Sequence, residues 1–176
     1  RAASSNTIWA FNHSGGLVRT NTISAGTNYF YHMFYDLSLN DAENRMVAVD
    51  WYGNTRKIFS VSGSSLSAIY GSSQGGSVFN NGSSSSNGYF RGPSGVDYDS
   101  NDNIYVADTG NSRIQKFNSS FSYQAKTGSF SRTAPFGYIH GLGIDDSDNI
   151  YGMDYWNWVV RKYDTNLNLL SSIGDG

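Results

Sequence analysis

Residues 95–117 are GVDYDSNDNIYVADTGNSRIQKF, and 46 positions later residues 141–163 are GLGIDDSDNIYGMDYWNWVVRKY. The two segments share, in order, a Gly, two Asp, Asn-Ile-Tyr, a third Asp, an Asn, a Lys and a closing aromatic. A fixed period of roughly 40 to 50 residues with several β-rich runs per unit points to a propeller or another repeat architecture. Weaker copies lie upstream. In residues 37–59, Met46-Val47-Ala48-Val49-Asp50 falls on Ile104-Tyr105-Val106-Ala107-Asp108, and Ile8-Trp9-Ala10-Phe11-Asn12 takes the same slot near the start. The steps from Asn12 to Asp50 to Asp108 to Asp154 are 38, 58 and 46.

Alternating apolar positions place strands at 96–99, 103–107, 113–117 and 123–125, with twins at 142–145, 149–153, 159–163 and 169–173. Asn, Asp and Ser between them make turns, because their short side chains bond nearby backbone and tolerate the left-handed region. No window carries a helical period with caps, so the chain is expected to be all-β. The long step contains residues 72–89, almost wholly Ser, Gly, Asn and Gln, which bury too little to offset ordering entropy and are expected to form an exposed loop. The expected organisation is one domain over 1–176, with units near 1–32 (partial, lacking its inner strand), 33–72, 90–130 and 138–176.

Gly92-Pro93-Ser94-Gly95-Val96, then Asn103 to Asp108, then Asn111-Ser112-Arg113-Ile114-Gln115-Lys116-Phe117, resembles an NHL repeat. The resemblance implies a β-propeller of four-stranded blades. It is strongest over 91–130, good over 138–174, moderate over 33–70 and partial before 25. In the last unit Trp156-Asn157-Trp158-Val159 replaces the Gly-Asn-x-Arg turn, so its Arg anchor is expected to be missing. Residues 37–59 lack the Pro-x-Gly lead-in. About four blades are counted where the resemblance implies six, which fits a fragment, a smaller ring or an open arc. An open sheet edge recruits partners, so self-assembly into a ring or filament is expected as one role.

Composition narrows the function classes. Lys and Arg total 12 against 14 Asp and Glu, giving a net charge of −2, which supplies no basic surface for nucleic acid. No apolar run reaches the ~20 residues of a membrane span. The chain has 28 Ser and 18 Asn beside four Lys and no Cys, so small polar groups keep it soluble. Sequons at Asn12, Asn81 and Asn118 are glycosylation candidates. The expected setting is extracellular or the cell surface, with a protein or glycan partner.

Asp50, Asp108 and Asp154 recur at the end of the second strand and are expected to cap the following turn. The Asp-rich turns at 97–102 and 145–149 lack the sixth-position Gly and closing Glu of a calcium loop. No metal and no cofactor are expected. The resemblance also admits a propeller enzyme with a channel metal, of lyase or lactonase type, for which His13, His32 and His140 with Asp36 and Asp97 are the candidates; only His140 precedes a clear inner strand. Tyr151, Tyr155, Trp156 and Trp158 cluster around one loop, Tyr151 repeating Tyr105 as part of the core pattern, and Tyr155, Trp156, Trp158 and His140 are the binding candidates. Trp156 and Trp158 break the repeat, and exposed rings there suit stacking on sugars or anchoring a protein.

Overall fold

A computed structural model of the chain describes residues 5–11, 14–24, 34–50, 55–62, 65–70, 88, 90–120, 122–127 and 138–174. The inserted loop at 72–89 therefore lies outside the described residues except Gly88, whose N–H donates to Gln115 Oε1 at 2.9 Å. Among the described residues the regular elements are strands and one 3-10 turn, Thr109–Asn111. No helix there is long and apolar enough to cross a membrane.

The strands form a two-stranded sheet, β1 (Ser5–Phe11) and β2 (Leu17–Ser24), and three four-stranded antiparallel sheets. The first of these is β3 (Phe34–Leu39), β4 (Arg45–Asp50), β5 (Thr55–Ser62) and β6 (Ser65–Tyr70). The second is β7 (Gly95–Tyr98), β8 (Ile104–Asp108), β9 (Arg113–Phe117) and β10 (Tyr123–Lys126). The third is β11 (Ile139–Ile144), β12 (Ile150–Asp154), β13 (Val159–Tyr163) and β14 (Leu169–Ile173). Each is a simple meander, and the first strands β3, β7 and β11 lie side by side from one sheet to the next. This is the blade arrangement of a partial β-propeller.

Sheets joined by short turns place sequential strands in neighbouring positions, and the pleat sends alternate side chains to opposite faces. In the middle blade both faces are covered, so every residue of Ile104-Tyr105-Val106-Ala107-Asp108 is buried. Ile104 and Val106 pack with Val96, Tyr98, Phe90 and Phe117 against Val47 and Val49 of the preceding blade. Tyr105, Ala107 and Ile114 face the other way, onto Ile139, Ile150, Tyr163 and Leu167 of the next. In the last blade only one face is covered. Its two middle strands alternate more and less buried positions, and Met153, Val160 and Ile173 lie open on the far side.

β11 begins earlier than its alternation suggests. Ile139 pairs with Asp154 across a register break before Leu142, so His140 sits inside the inner strand and not ahead of it.

The blades approach closely at their inner strands. A Cβ on Gly95 would lie 2.9 Å from the Leu142 N and 3.1 Å from its Cβ, whereas one on Gly143 meets nothing within 4 Å. Gly95→Ala is therefore expected to destabilise by about 1–3 kcal/mol, the usual cost of overpacking. Gly143→Ala should stay within about 0.5 kcal/mol of the parent. Urea unfolding of the two variants checks this, and equal losses would refute the close junction.

Candidate functional site

An inner strand has a ladder partner on one side only, so its other edge presents unpaired backbone groups. Carboxylates from the preceding blade meet that need. Asp36 Oδ2 accepts the Val96 N–H at 3.0 Å, and Asp97 Oδ2 accepts the Ile144 N–H at 2.9 Å. Their second oxygens take the next amide of their own strands, from Leu37 and Tyr98, and Asp97 Oδ1 also accepts from Ser38 Oγ at 2.7 Å. Burial pushes the Asp36 carboxyl up, the two amide bonds pull it down, and the Asp97 charge adds a smaller push. The two carboxylates singled out for the channel thus clasp adjacent blades together. Among the described residues no three His, Cys, Asp or Glu side chains converge. His13 and His32 lie outside the described residues.

Two further ties repeat at both junctions between the four-stranded blades. Asp102 accepts from Asn40 Nδ2 at 3.0 Å, and its equivalent Asp148 accepts from Ser100 N and Oγ at 2.8 and 2.7 Å. At the outer radius Arg45 donates to the Ser119 carbonyl at 2.6 Å, and Lys116 to the equivalent Thr165 carbonyl at 2.8 Å.

The Asp-rich turns are hydrogen-bonded units in their own right. Asp99 Oδ1 accepts from Asn101 N and Asn103 N, and Asp145 Oδ1 from Ser147 N and Asn149 N. Asp102 and Asp148, at φ 61° and 58°, occupy the left-handed corner. Asn40 fills the place of Asp99 in the earlier blade, accepting from Asn44 N and Arg45 N. Bonds from the Asn149 backbone and side chain hold Asp145 down at about 2.

Asp108 and Asp154 are fully buried. Asp108 accepts from Arg91 N at 2.7 Å, and from Asn111 Nδ2, Arg113 Nε and Gln115 Nε2 at 2.9, 2.7 and 3.0 Å. Burial pushes Asp108 up, and the Arg91 amide, Asn111 and Arg113 oppose it. Its acceptor bonds therefore reach the lead-in loop and the third strand, beyond the turn it precedes. Asp154 does accept from its following turn, through Asn157 N at 3.3 Å and Asn157 Nδ2 at 2.8 Å. The expected loss of the Arg anchor in the last blade does not occur. Val159 takes the place of Arg113, but Arg161, two residues on and thus on the same face, donates Nε to Asp154 Oδ2 at 3.1 Å. Asp50 lies at the end of β4, and its side chain is outside the described residues.

The turn after Asp154 is where the last blade departs from the repeat. In the middle blade the Arg91 carbonyl accepts from Gly110 N at 2.8 Å, and a Cβ on Gly110 would lie 2.5 Å from that oxygen. In the last blade the corresponding bond comes one residue earlier, from Tyr155 N to the Tyr138 carbonyl at 2.9 Å. That shift frees the position of Gly110 to carry Trp156. Trp158 stands where the middle blade has Ser112, and both are left-handed, at φ 55° and 52°. A connected run of rings results. Trp156 stacks on Tyr138 with centroids 5.7 Å apart, Tyr138 lies 6.4 Å from His140, His140 5.5 Å from Tyr155, and Tyr155 5.6 Å from Trp158. Trp156 and Trp158 are 65% and 74% exposed. All four residues proposed from sequence are brought together, and Tyr138 joins them. It stands one residue ahead of β11, outside the repeat pattern, and no signal in the sequence marked it.

Of the three sequons, Asn12 and Asn81 lie outside the described residues. Asn118 is half-buried, and its Oδ1 accepts from Ser120 N and Ser122 N in a turn of the same kind as those at Asp99 and Asp145.

A family model, NHL repeat, matches residues 90–117. Solved β-propellers match nearly the whole chain. RRP9 WD40 repeats superpose with a TM-score of 0.65 at 12% identity, over 93% of this chain and 44% of that one. A streptogramin B lyase gives 0.64 at 13% identity over 98% and 49%. Virginiamycin B lyase from Staphylococcus aureus gives 0.61 at 12% identity over 97% and 49%. The chain spans about half the length of these structures or less. No curated protein matches its sequence. Residues 90–117 thus form an NHL repeat within a β-propeller fold.

The depressed Asp145 carboxyl has a consequence for pH. A folded value of about 2 against 3.8 means stability that is complete above about pH 4 and is lost as pH falls toward 2. Asp145→Asn keeps an acceptor at the turn, as Asn40 does, and removes that titration. Acid unfolding followed by circular dichroism should show a weaker dependence between about pH 4 and pH 2 in the variant. An unchanged profile would mean the carboxylate does not support the turn.

Proposed function

We propose that the chain is a non-catalytic binding module, acting outside the cell or at its surface, whose ligand contact is the ring surface of Tyr138, His140, Tyr155, Trp156 and Trp158. One observation carries this reading. Trp158 holds an indole 74% exposed to water on a backbone at φ 55°, in a turn whose counterpart uses Ser112. Left-handed backbone costs a bulky residue about 1 kcal/mol, and exposing an indole forgoes burial it could have had. Burial repays that backbone at Leu167, which stands at φ 65° in the core, but the Trp158 indole has no such return. Exposed aromatics with a fixed backbone are what a docking surface requires.

The low charge and the abundance of Ser and Asn support an extracellular setting, where hydroxyls and amides keep a surface soluble. Two of the similar solved structures are lyases, and at 12–13% identity that likeness carries the fold alone. The carboxylates Asp36 and Asp97 here hold neighbouring strands, which favours a scaffold role for the channel wall.

A second contact is favoured by the far face of the last blade. Met153, Val160 and Ile173 form one row across three strands, in register with Ala107 and Ile114 of the middle blade, which the next blade buries. This row suits self-association, a ring or filament being the outcome of repeated docking.

Trp156→Ala and Trp158→Ala are expected to leave Tm within about 2 °C of the parent in calorimetry. A fall of about 8 °C or more, the size of losing a buried indole, would return the rings to the scaffold. For the sheet face, light scattering over a concentration series should show a mass that rises with concentration and falls back in Val160→Asp. A monomer mass throughout would remove self-association.

A further inference from the structure

We infer that the occupant of the ring surface is a carbohydrate, an uncharged oligosaccharide laid along the five rings; this rests on the binding reading above. The chemistry of the surface selects it. Every side chain in the run is a ring with an N–H or O–H at its edge: Trp156, Tyr138, His140, Tyr155, Trp158. Such rings offer a π-face for apolar contact and a polar rim for hydrogen bonds. A sugar ring has the matching halves, C–H groups on its faces and hydroxyls around its edge.

Among the described residues, charge finds no counterpart in the run of rings either. The nearest recurrent carboxylate, Asp154, is buried and bonded to Arg161 and Asn157, so it offers nothing to a cationic ligand. Lys162 is drawn over the Tyr151 ring at 5.4 Å, on the sheet. An anionic ligand would find no guanidinium or ammonium among the five rings.

The local departures from the repeat also set the ring surface apart from a far-face contact, because a copy docked there would not find the ties that an internal junction makes at these positions. At the internal junction Asp97 clasps the next inner strand, and Thr109 Oγ1 donates to the Ile139 carbonyl at 2.6 Å. On the last blade these positions are Gly143 and Tyr155. The clasping carboxylate is gone, and a ring stands where a short hydroxyl let the neighbouring strand approach.

Affinity electrophoresis of the whole chain through gels containing β-1,3-glucan, β-1,4-glucan, xylan or galactomannan tests the inference. Retardation by at least one polymer is expected, followed by titration calorimetry with its oligosaccharide. Trp156→Ala and Trp158→Ala should each weaken binding by about five- to tenfold, and Trp158→Phe should restore most of it. Lack of retardation in all four polymers, or retardation untouched by both alanines, overturns the carbohydrate assignment. If Tm is meanwhile unchanged in the alanine variants, a binding surface for another partner class survives. A large fall in Tm removes both readings.

Discussion

The constraint on which the rest of this structure depends is the unpaired edge of each inner strand. A strand at the hub of a blade has a neighbour on one side, and the amides on its other side must find acceptors or forfeit about 1–3 kcal/mol each when buried. Here the acceptors come from the blade before. Asp36 takes Val96 N, and Asp97 takes Ile144 N, so satisfying one strand also fixes the angle between two sheets. The Asp102 and Asp148 corners and the Ser119 and Thr165 carbonyls repeat the device at larger radii. Each junction is then held at three radii and filled by Ile, Val and Tyr. A surface standing on the last blade inherits that rigidity.

The repeat spacing made the blades legible, because strand order in a meander follows chain order and the pleat follows alternation. Arg113–Phe117, Val159–Tyr163 and Leu169–Ile173 have the bounds that alternation predicts. β11 does not, since its start depends on a register break that only the Asp154 pairing creates. Arg161 escaped for a related reason. The repeat puts the anchor at the slot of Arg113, but a strand offers the same face two residues later, and the guanidinium there reaches the equivalent carboxylate, Asp154.

Asp36 and Asp97 illustrate a different limit. Their partners are backbone amides 60 and 47 residues away, and an amide has no signature in sequence. A carboxylate near the hub is therefore indistinguishable, along one dimension, from a metal ligand. The aromatic residues were visible because they broke a pattern. Tyr138 was invisible because it lies ahead of the pattern, and only the Tyr155 bond to its carbonyl draws it in.

A repeat fold separates scaffold from function in a way that a single-copy fold does not. Each blade position is under the same steric and hydrogen-bonding demands, so two copies serve as controls for each other. Gly110 has no room for a side chain in one blade, and its counterpart carries Trp156 in the next. That exchange needed a one-residue shift of a backbone hydrogen bond, and it left an indole in water. Ser112 and Trp158 share a left-handed backbone, which suits the small residue better than the large one. Two changes in one turn, both unfavourable for folding and both converging on one run of rings, have no common cause in packing. They do have one in recognition, because rings held by a clasped blade lose little entropy when a ligand settles on them.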